Sequence, residues 1–263
     1  MPYIQLGDVD TWWDEHGAGE PLVLLHPGGA DSRAFNDFLV GFPPRVGPAD
    51  FLVGSPPRVS PAVTLALAER FHVYRFDRRG HGRTADVEGP IGYAQMADDT
   101  AAFIETVVGG PAHVLGHSDG APVGLLTAQR HPELVRRLVF ASGVFHHDGW
   151  LPGVLDLTDD DAEFLRSWYG EVSPDGIGHW GVVSAKLDRM HRAAPTLTTQ
   201  DLAEIATATL LMFGDDDEVE PAHLHALHRS LPDARLAIVP GAGHGVLLDK
   251  PELCHLMISE FLG

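Results

Sequence analysis

The chain has 263 residues, 44% of them hydrophobic, and a formal net charge of −19. That size suits one large α/β domain with a full core, and the acidic balance excludes nucleic acid and anionic membrane surfaces as partners. No apolar run approaches the roughly 18 residues of a transmembrane helix. The segment Met1 to Leu6 has neither a basic stretch nor an apolar signal core, and the single cysteine, Cys254, permits no internal disulfide, so a cytoplasmic protein is expected.

The first residues read as a small β-meander. Tyr3 to Leu6 and Thr11 to Asp14 alternate around a turn-rich Gly7-Asp8-Val9-Asp10. Pro21 to His26 is a short continuous apolar run, as expected of a strand covered on both faces. It ends in His26-Pro27-Gly28-Gly29. A glycine pair after a central strand can turn backbone N–H groups toward a pocket, and because Pro27 has no N–H, Gly28 or Gly29 must be the donor.

Residues 38–63 are a tandem repeat of 13 residues with 10 identities, Phe38 to Asp50 followed by Phe51 to Val63. Paired prolines forbid a helix through either copy. We read it as an extended insertion before a helix around Val63 to Arg70. His72 to Phe76 is the next strand, ending in Asp77-Arg78-Arg79-Gly80-His81-Gly82, whose Arg78, Arg79 and His81 are expected to brace loops. Tyr93, Met96, Thr100, Phe103 and Val107 then recur at helical spacing.

Gly116-His117-Ser118-Asp119-Gly120 follows the apolar run Ala112 to Leu115 and precedes a buried helix. Strand, sharp turn and helix with serine at the apex is the context a G-x-S-x-G nucleophile elbow requires. A turn that tight leaves no room for side chains at Gly116 and Gly120. Arg137 to Gly143 is another strand. From about 144 to 205 the strand–helix rhythm stops, and an insertion of that length predicts a helical cap, whose Trp150 and Trp180 either line a substrate pocket or form the cap's own small core. The sheet resumes at Ala208 to Gly214 and leads into Asp215-Asp216-Asp217-Glu218. A last strand, Ala234 to Pro240, precedes Gly241-Ala242-Gly243-His244-Gly245, and Pro251 to Leu262 forms the closing helix.

Serine, acid and histidine therefore occur in that order, each just after a core strand. A serine hydroxyl is nearly unionised at neutral pH, so an imidazole must take its proton during attack, and a carboxylate must fix the imidazole. Of the 16 histidines, most are read as surface or loop residues, since no C-x-x-C or H-E-x-x-H spacing points to metal.

The chain resembles the α/β-hydrolase superfamily over nearly its whole length. The resemblance rests on His26 to Gly29, Asp77 to Gly82, Gly116 to Gly120, Gly214 to Pro221 and Gly243-His244. It implies an α/β fold: a mostly parallel central sheet with helices on both faces and a helical cap. One domain over residues 1–263 is expected, with a core of 1–143 and 206–263 and the cap at about 144–205. The resemblance further implies Ser118 as nucleophile, Asp217 as acid and His244 as base, with Asp215, Asp216 and Asp148 as other candidates for the acid. The amides of Gly28 and Asp119 are the expected oxyanion donors. Asp119, His117, Trp150 and Trp180 are the expected substrate contacts. A Ser-Asp-Gly elbow is also seen in the biphenyl-hydrolase-like group, which includes hydrolases of amino-acid esters. Asp119 could thus pair with a substrate ammonium, or it could serve backbone N–H groups at a helix start. The expected activity is cofactor-free and metal-free cleavage of small carboxylic esters, lactones or thioesters. A C–C bond hydrolase, a perhydrolase and a non-enzymatic small-molecule receptor of the same fold are the alternatives.

Overall fold

The computed structural model describes residues 3–35 and 63–263. The tandem repeat lies outside the described residues, apart from Val63. Eight strands form one sheet: β1 (Tyr3–Leu6), β2 (Val9–His16), β3 (Glu20–Leu25), β4 (Phe71–Phe76), β5 (Ala112–His117), β6 (Val135–Ala141), β7 (Thr209–Gly214) and β8 (Ala234–Val239). Their spatial order is β1-β2-β4-β3-β5-β6-β7-β8. The first two strands run antiparallel, and all pairings from β4 to β8 are parallel.

The apolar run Leu22 to Leu25 has no solvent exposure, because β3 lies between β4 and β5 and is covered on both faces. Burying each of those side chains is worth about 1.5–3 kcal/mol. The chain steps from β3 to β4 on one side and then crosses to β5 on the other. Strand order therefore reverses at β3, and the carboxyl ends of β3 and β5 flank a crevice of the kind in which open α/β sheets bind ligands. The Gly28-Gly29 turn and Ser118 both sit there.

The helices are α1 (Val63–Ala68), α2 (Tyr93–Phe103), α3 (Gly120–Arg130), α4 (Asp159–Gly170), α5 (Trp180–His191), α6 (Thr199–Ala203), α7 (Pro221–Ser230), α8 (Val246–Asp249) and α9 (Pro251–Leu262). Their starts follow the sequence. Thr158 and Asp161 exchange side-chain bonds with each other's backbone N–H to open α4, a reciprocal arrangement that satisfies two orphan donors. Proline occupies the first turn of α7 and α9, where its missing N–H costs nothing. Among the described residues no helix is long and apolar enough to cross a membrane.

Between β6 and β7 the chain carries α4, α5 and α6. Three contacts dock them on the sheet's loops. The Arg33 guanidinium lies 4.1 Å from the centre of the Trp168 ring and donates to Trp168 O and Glu171. Lys186 and His179 both hold Asp86. His191, at the end of α5, meets Asp119.

Most of the histidines are exposed or half-buried, and four are interior. The four are His26, His81, His113 and His117. Each of those four has a ring nitrogen bonded to a nearby backbone or carboxylate oxygen, which offsets the cost of burying it. Cys254 is a core residue, and burial pushes its thiol up to about 12.

Candidate active site

Ser118 stands at the top of β5 with φ 54°, in the left-handed region that a serine enters only when its surroundings force it. The flanking glycines show the cause. A Cβ on Gly116 would come within 2.0 Å of Gly120 O, and one on Gly120 within 2.0 Å of Leu25 O. The turn closes on itself at Gly116 and presses on β3 at Gly120, so no side chain fits at either position.

His244 follows β8, and its ring bridges the other two groups. Its Nε2 is 3.0 Å from Ser118 Oγ, and its Nδ1 is 3.1 Å from Asp217 Oδ1. Asp217 follows β7 with its side chain 4% exposed. Its carboxylate also accepts from Glu218 N at 2.7 Å, Ser142 Oγ at 2.6 Å and Gly214 N at 3.3 Å. Burial alone would raise its pKa, but the His244 bond and charge outweigh that and the net shift is downward. Burial disfavours a charged His244, yet Asp217 prevails and its pKa rises. Asp217 therefore stays ionised beside an imidazole made more basic.

The other acids are used elsewhere. Asp215 Oδ1 accepts from Gly241 N and Ala242 N, which shapes the loop that carries His244. Asp216 is exposed. Asp148 is on the surface beside His146 and His147, where the three offer possible metal-ligand atoms within 4.8 Å of one another. Glu218 Oε2 is 3.8 Å from His244 Nδ1, farther than Asp217.

Among the described residues the amides of Gly28, Gly29 and Asp119 meet no protein acceptor. The peptide between Pro27 and Gly28 is oriented from behind. Pro27 O accepts from His26 Nδ1 at 2.8 Å and from Arg78 Nη2 at 3.2 Å. A trans peptide carries its C=O and N–H on opposite sides, so the Gly28 N–H faces away from Arg78. Arg78 is fully buried and also binds His26 O. It braces this turn, as its neighbour Arg79 braces Asp99 and Asp8.

A cavity of about 160 Å³ opens over Ser118. Gly28, Gly29, Ser118, Asp119 and His244 form its base, while Trp150, Leu165, Trp180, Leu187 and His191 are among the residues that form its walls. Trp150 turns its ring edgewise to His244 at 5.7 Å between centres. His117, expected to touch substrate, is corrected: it does not line this cavity. Its Nε2 donates to His244 O at 2.8 Å, and burial followed by the nearby His244 charge pushes its pKa down to about 4. It is a neutral prop beneath the His244 backbone.

One of the two expectations for Asp119 is corrected too. The carboxylate makes no capping bond at the start of α3, while Asp119 does line the cavity. Oδ1 accepts from Tyr93 Oη and Oδ2 from His191 Nε2, each at 2.7 Å. Tyr93, His191 and Ser142 are thus site residues that the sequence did not single out. Tyr93 belongs to the apolar stripe of α2, and neither of the other two carries a local signal.

The sequence model of the alpha/beta hydrolase family matches residues 22–254. The chain belongs to that family and is a hydrolase. It is 27% identical over 286 residues to the "Putative carbamate hydrolase RutD" of Azorhizobium caulinodans, covering 100% of this chain and 98% of that protein. It is 27% identical over 272 residues to the pimeloyl-[acyl-carrier protein] methyl ester esterase of Neisseria meningitidis, covering 93% of this chain and 77% of that one. Among solved structures, the serine hydrolase CarC, involved in carbazole degradation, superposes with a TM-score of 0.75 at 22% identity, covering 99% and 97% of the two chains. That last likeness is one of fold.

Proposed function

We propose that this protein is a serine hydrolase that cleaves small carboxylic esters through an acyl-enzyme on Ser118. The reading rests on one observation above all: an imidazole within hydrogen-bond reach of both a strained, accessible serine and a buried carboxylate. In this reading His244 takes the Ser118 proton as Oγ attacks the ester carbonyl. Asp217 holds the tautomer and stabilises the imidazolium. The amides of Asp119 and Gly28 meet the oxyanion, and His244 then passes its proton to the leaving alkoxide. Water, deprotonated by the same imidazole, releases the acid and restores the serine.

The 144–205 segment acts as a cap in this account. It supplies Trp150, Leu165, Trp180 and His191 to the cavity wall, and so excludes water from part of the site. Likeness to an esterase of carrier-protein methyl esters supports an ester substrate. A second reading, cleavage of a carbamate, draws on the full-length likeness to the Azorhizobium protein. The same nucleophile and oxyanion donors would serve it. A panel of chromogenic acyl esters and matching carbamates, assayed with wild type and Ser118→Ala, separates the two. Turnover of the esters that vanishes in Ser118→Ala supports the first reading, and turnover of carbamates alone replaces it with the second.

A further inference from the structure

The base of the cavity holds a second acid–base pair that the chemistry above does not use. Asp119 follows Ser118 in the chain, so its side chain enters the cavity beside the nucleophile. The carboxylate is buried, and it is gripped by Tyr93 Oη and His191 Nε2. Burial opposes its charge, but the His191 charge and hydrogen bond, with help from Arg78 and Tyr93, hold it far below the usual carboxylate range. The partner moves the other way. Burial opposes a charged His191, yet Asp119 outweighs it and the imidazole pKa rises. The two therefore form an ion pair.

A protonated imidazole has two N–H donors. Nε2 is committed to Asp119. Nδ1 meets no acceptor among the described residues, while the side chain keeps 22% exposure and its ring lines the cavity. The charges facing this ring come from several elements. Asp119 is its partner, Arg78 and His81 stand behind from the loop after β4, and Tyr93 lies on α2. Asp188, on α5, is engaged by Arg192 at 2.8 Å. His81 is neutral, its pKa pushed down to about 4 by burial and then by Arg78. Arg78 and His191 against Asp119 leave this part of the site with surplus positive charge.

The pair also has a definite side. A Cβ on Gly28 would fall 2.1 Å from Asp119 Oδ2 and 3.2 Å from His191 Nε2, so the pair stands against the oxyanion turn. The leaving group must lie within reach of His244 Nε2, which protonates it. The acyl portion is left to face His191.

We propose that His191 is a specificity residue whose open Nδ1–H, fixed by Asp119 and Tyr93, binds a carboxylate carried on the acyl portion of the substrate. This rests on the reading of Ser118 as the nucleophile. The substrates are then half-esters of dicarboxylic acids or close relatives, and aminoacyl esters are disfavoured because their ammonium would face the like charge of His191.

The test compares p-nitrophenyl half-esters of dicarboxylic acids with p-nitrophenyl esters of unbranched monoacids of equal carbon count, spontaneous hydrolysis subtracted. Wild type is expected to favour the half-ester in kcat/KM by about tenfold or more, mostly through KM, as a hydrogen bond to a charged group would give. The preference should be full where His191 is protonated and should fade as pH rises through its titration. His244 titration affects both esters alike and cancels in the ratio. His191→Gln should lower the ratio about tenfold. A wild-type ratio at or below one, or a ratio indifferent to both pH and His191→Gln, overturns the proposal. The pH series needs no variant, so a poorly folded His191→Gln does not shield it. If both esters are hydrolysed with a ratio of one and Ser118→Ala abolishes both, the carboxylate site falls and the nucleophile stands. If Ser118→Ala hydrolyses both at the wild-type rate, the nucleophile reading is what falls.

Discussion

Ser142 Oγ donates to Asp217 Oδ2 across 2.6 Å. The two residues follow adjacent strands, β6 and β7, and Ser142 shares with Ser118 a positive φ, here 50°. The bond fixes the carboxylate from the side opposite His244. Ser142→Ala removes it without changing the backbone preference much. We expect kcat to fall about tenfold, the worth of one hydrogen bond to a charged group, with thermal stability nearly unchanged. Steady-state kinetics on p-nitrophenyl acetate checks this.

Asp217→Asn should be far more damaging. The imidazole loses its orienting charge and adopts the wrong tautomer, which costs about 10⁴ in kcat in the comparable protease triad. Asp215→Asn should spare kcat by comparison and lower the melting temperature, because Asp215 holds the amides of Gly241 and Ala242 rather than His244. A crippled kcat in Asp215→Asn with an active Asp217→Asn would reassign the acid.

The pH profile follows from the same pair. Attack requires neutral His244, whose pKa is raised, so the acid limb of kcat/KM should lie above the ordinary histidine value of about 6.5. In Asp217→Asn the raising partner is gone while burial remains, and the limb should move to lower pH. The stability signs are opposite for the two partners. The depressed pKa of Asp217 contributes stability above about pH 3.9 that is lost on acidification. The raised pKa of His244 contributes below about pH 6.5 and is lost as pH rises through its folded value.

Gly28→Ala tests the oxyanion turn. The added methyl would sit 2.1 Å from Asp119 Oδ2, and Asp119 cannot retreat because Tyr93 and His191 hold both oxygens. The turn itself must shift. We expect kcat to drop by about 10²–10³, the worth of one oxyanion donor, with KM for small esters changed much less. Wild-type kcat in Gly28→Ala would exclude this amide.

Much of the scaffold was legible because buried parallel strands are runs of apolar residues, and each run ended where a glycine or charged loop began. The turn at Ser118 was legible because its glycines answer a steric demand only a few residues long. Asp119 with His191 was not, since the partners lie 72 positions apart and the histidine sits near the end of an amphipathic helix with nothing local to mark it. Tyr93 shows in the sequence only as part of a helical spacing, which agrees with its buried ring but says nothing of where a hydroxyl points. His117 is among the substrate contacts expected from the sequence. The strand in fact continues through it, and its ring turns under the His244 backbone instead.

The central claim is that Ser118 carries the acyl group, and the most direct measurement is intact-protein mass spectrometry during turnover of a slowly deacylating p-nitrophenyl ester. The account predicts a burst of p-nitrophenol matched by a protein gaining the acyl mass, with the adduct mapped to the peptide containing Ser118. In Ser118→Ala, burst and adduct should both vanish and turnover should fall by about 10⁴-fold or more. Wild-type turnover retained in Ser118→Ala, or an adduct on another residue that forms and decays at the turnover rate, would contradict it.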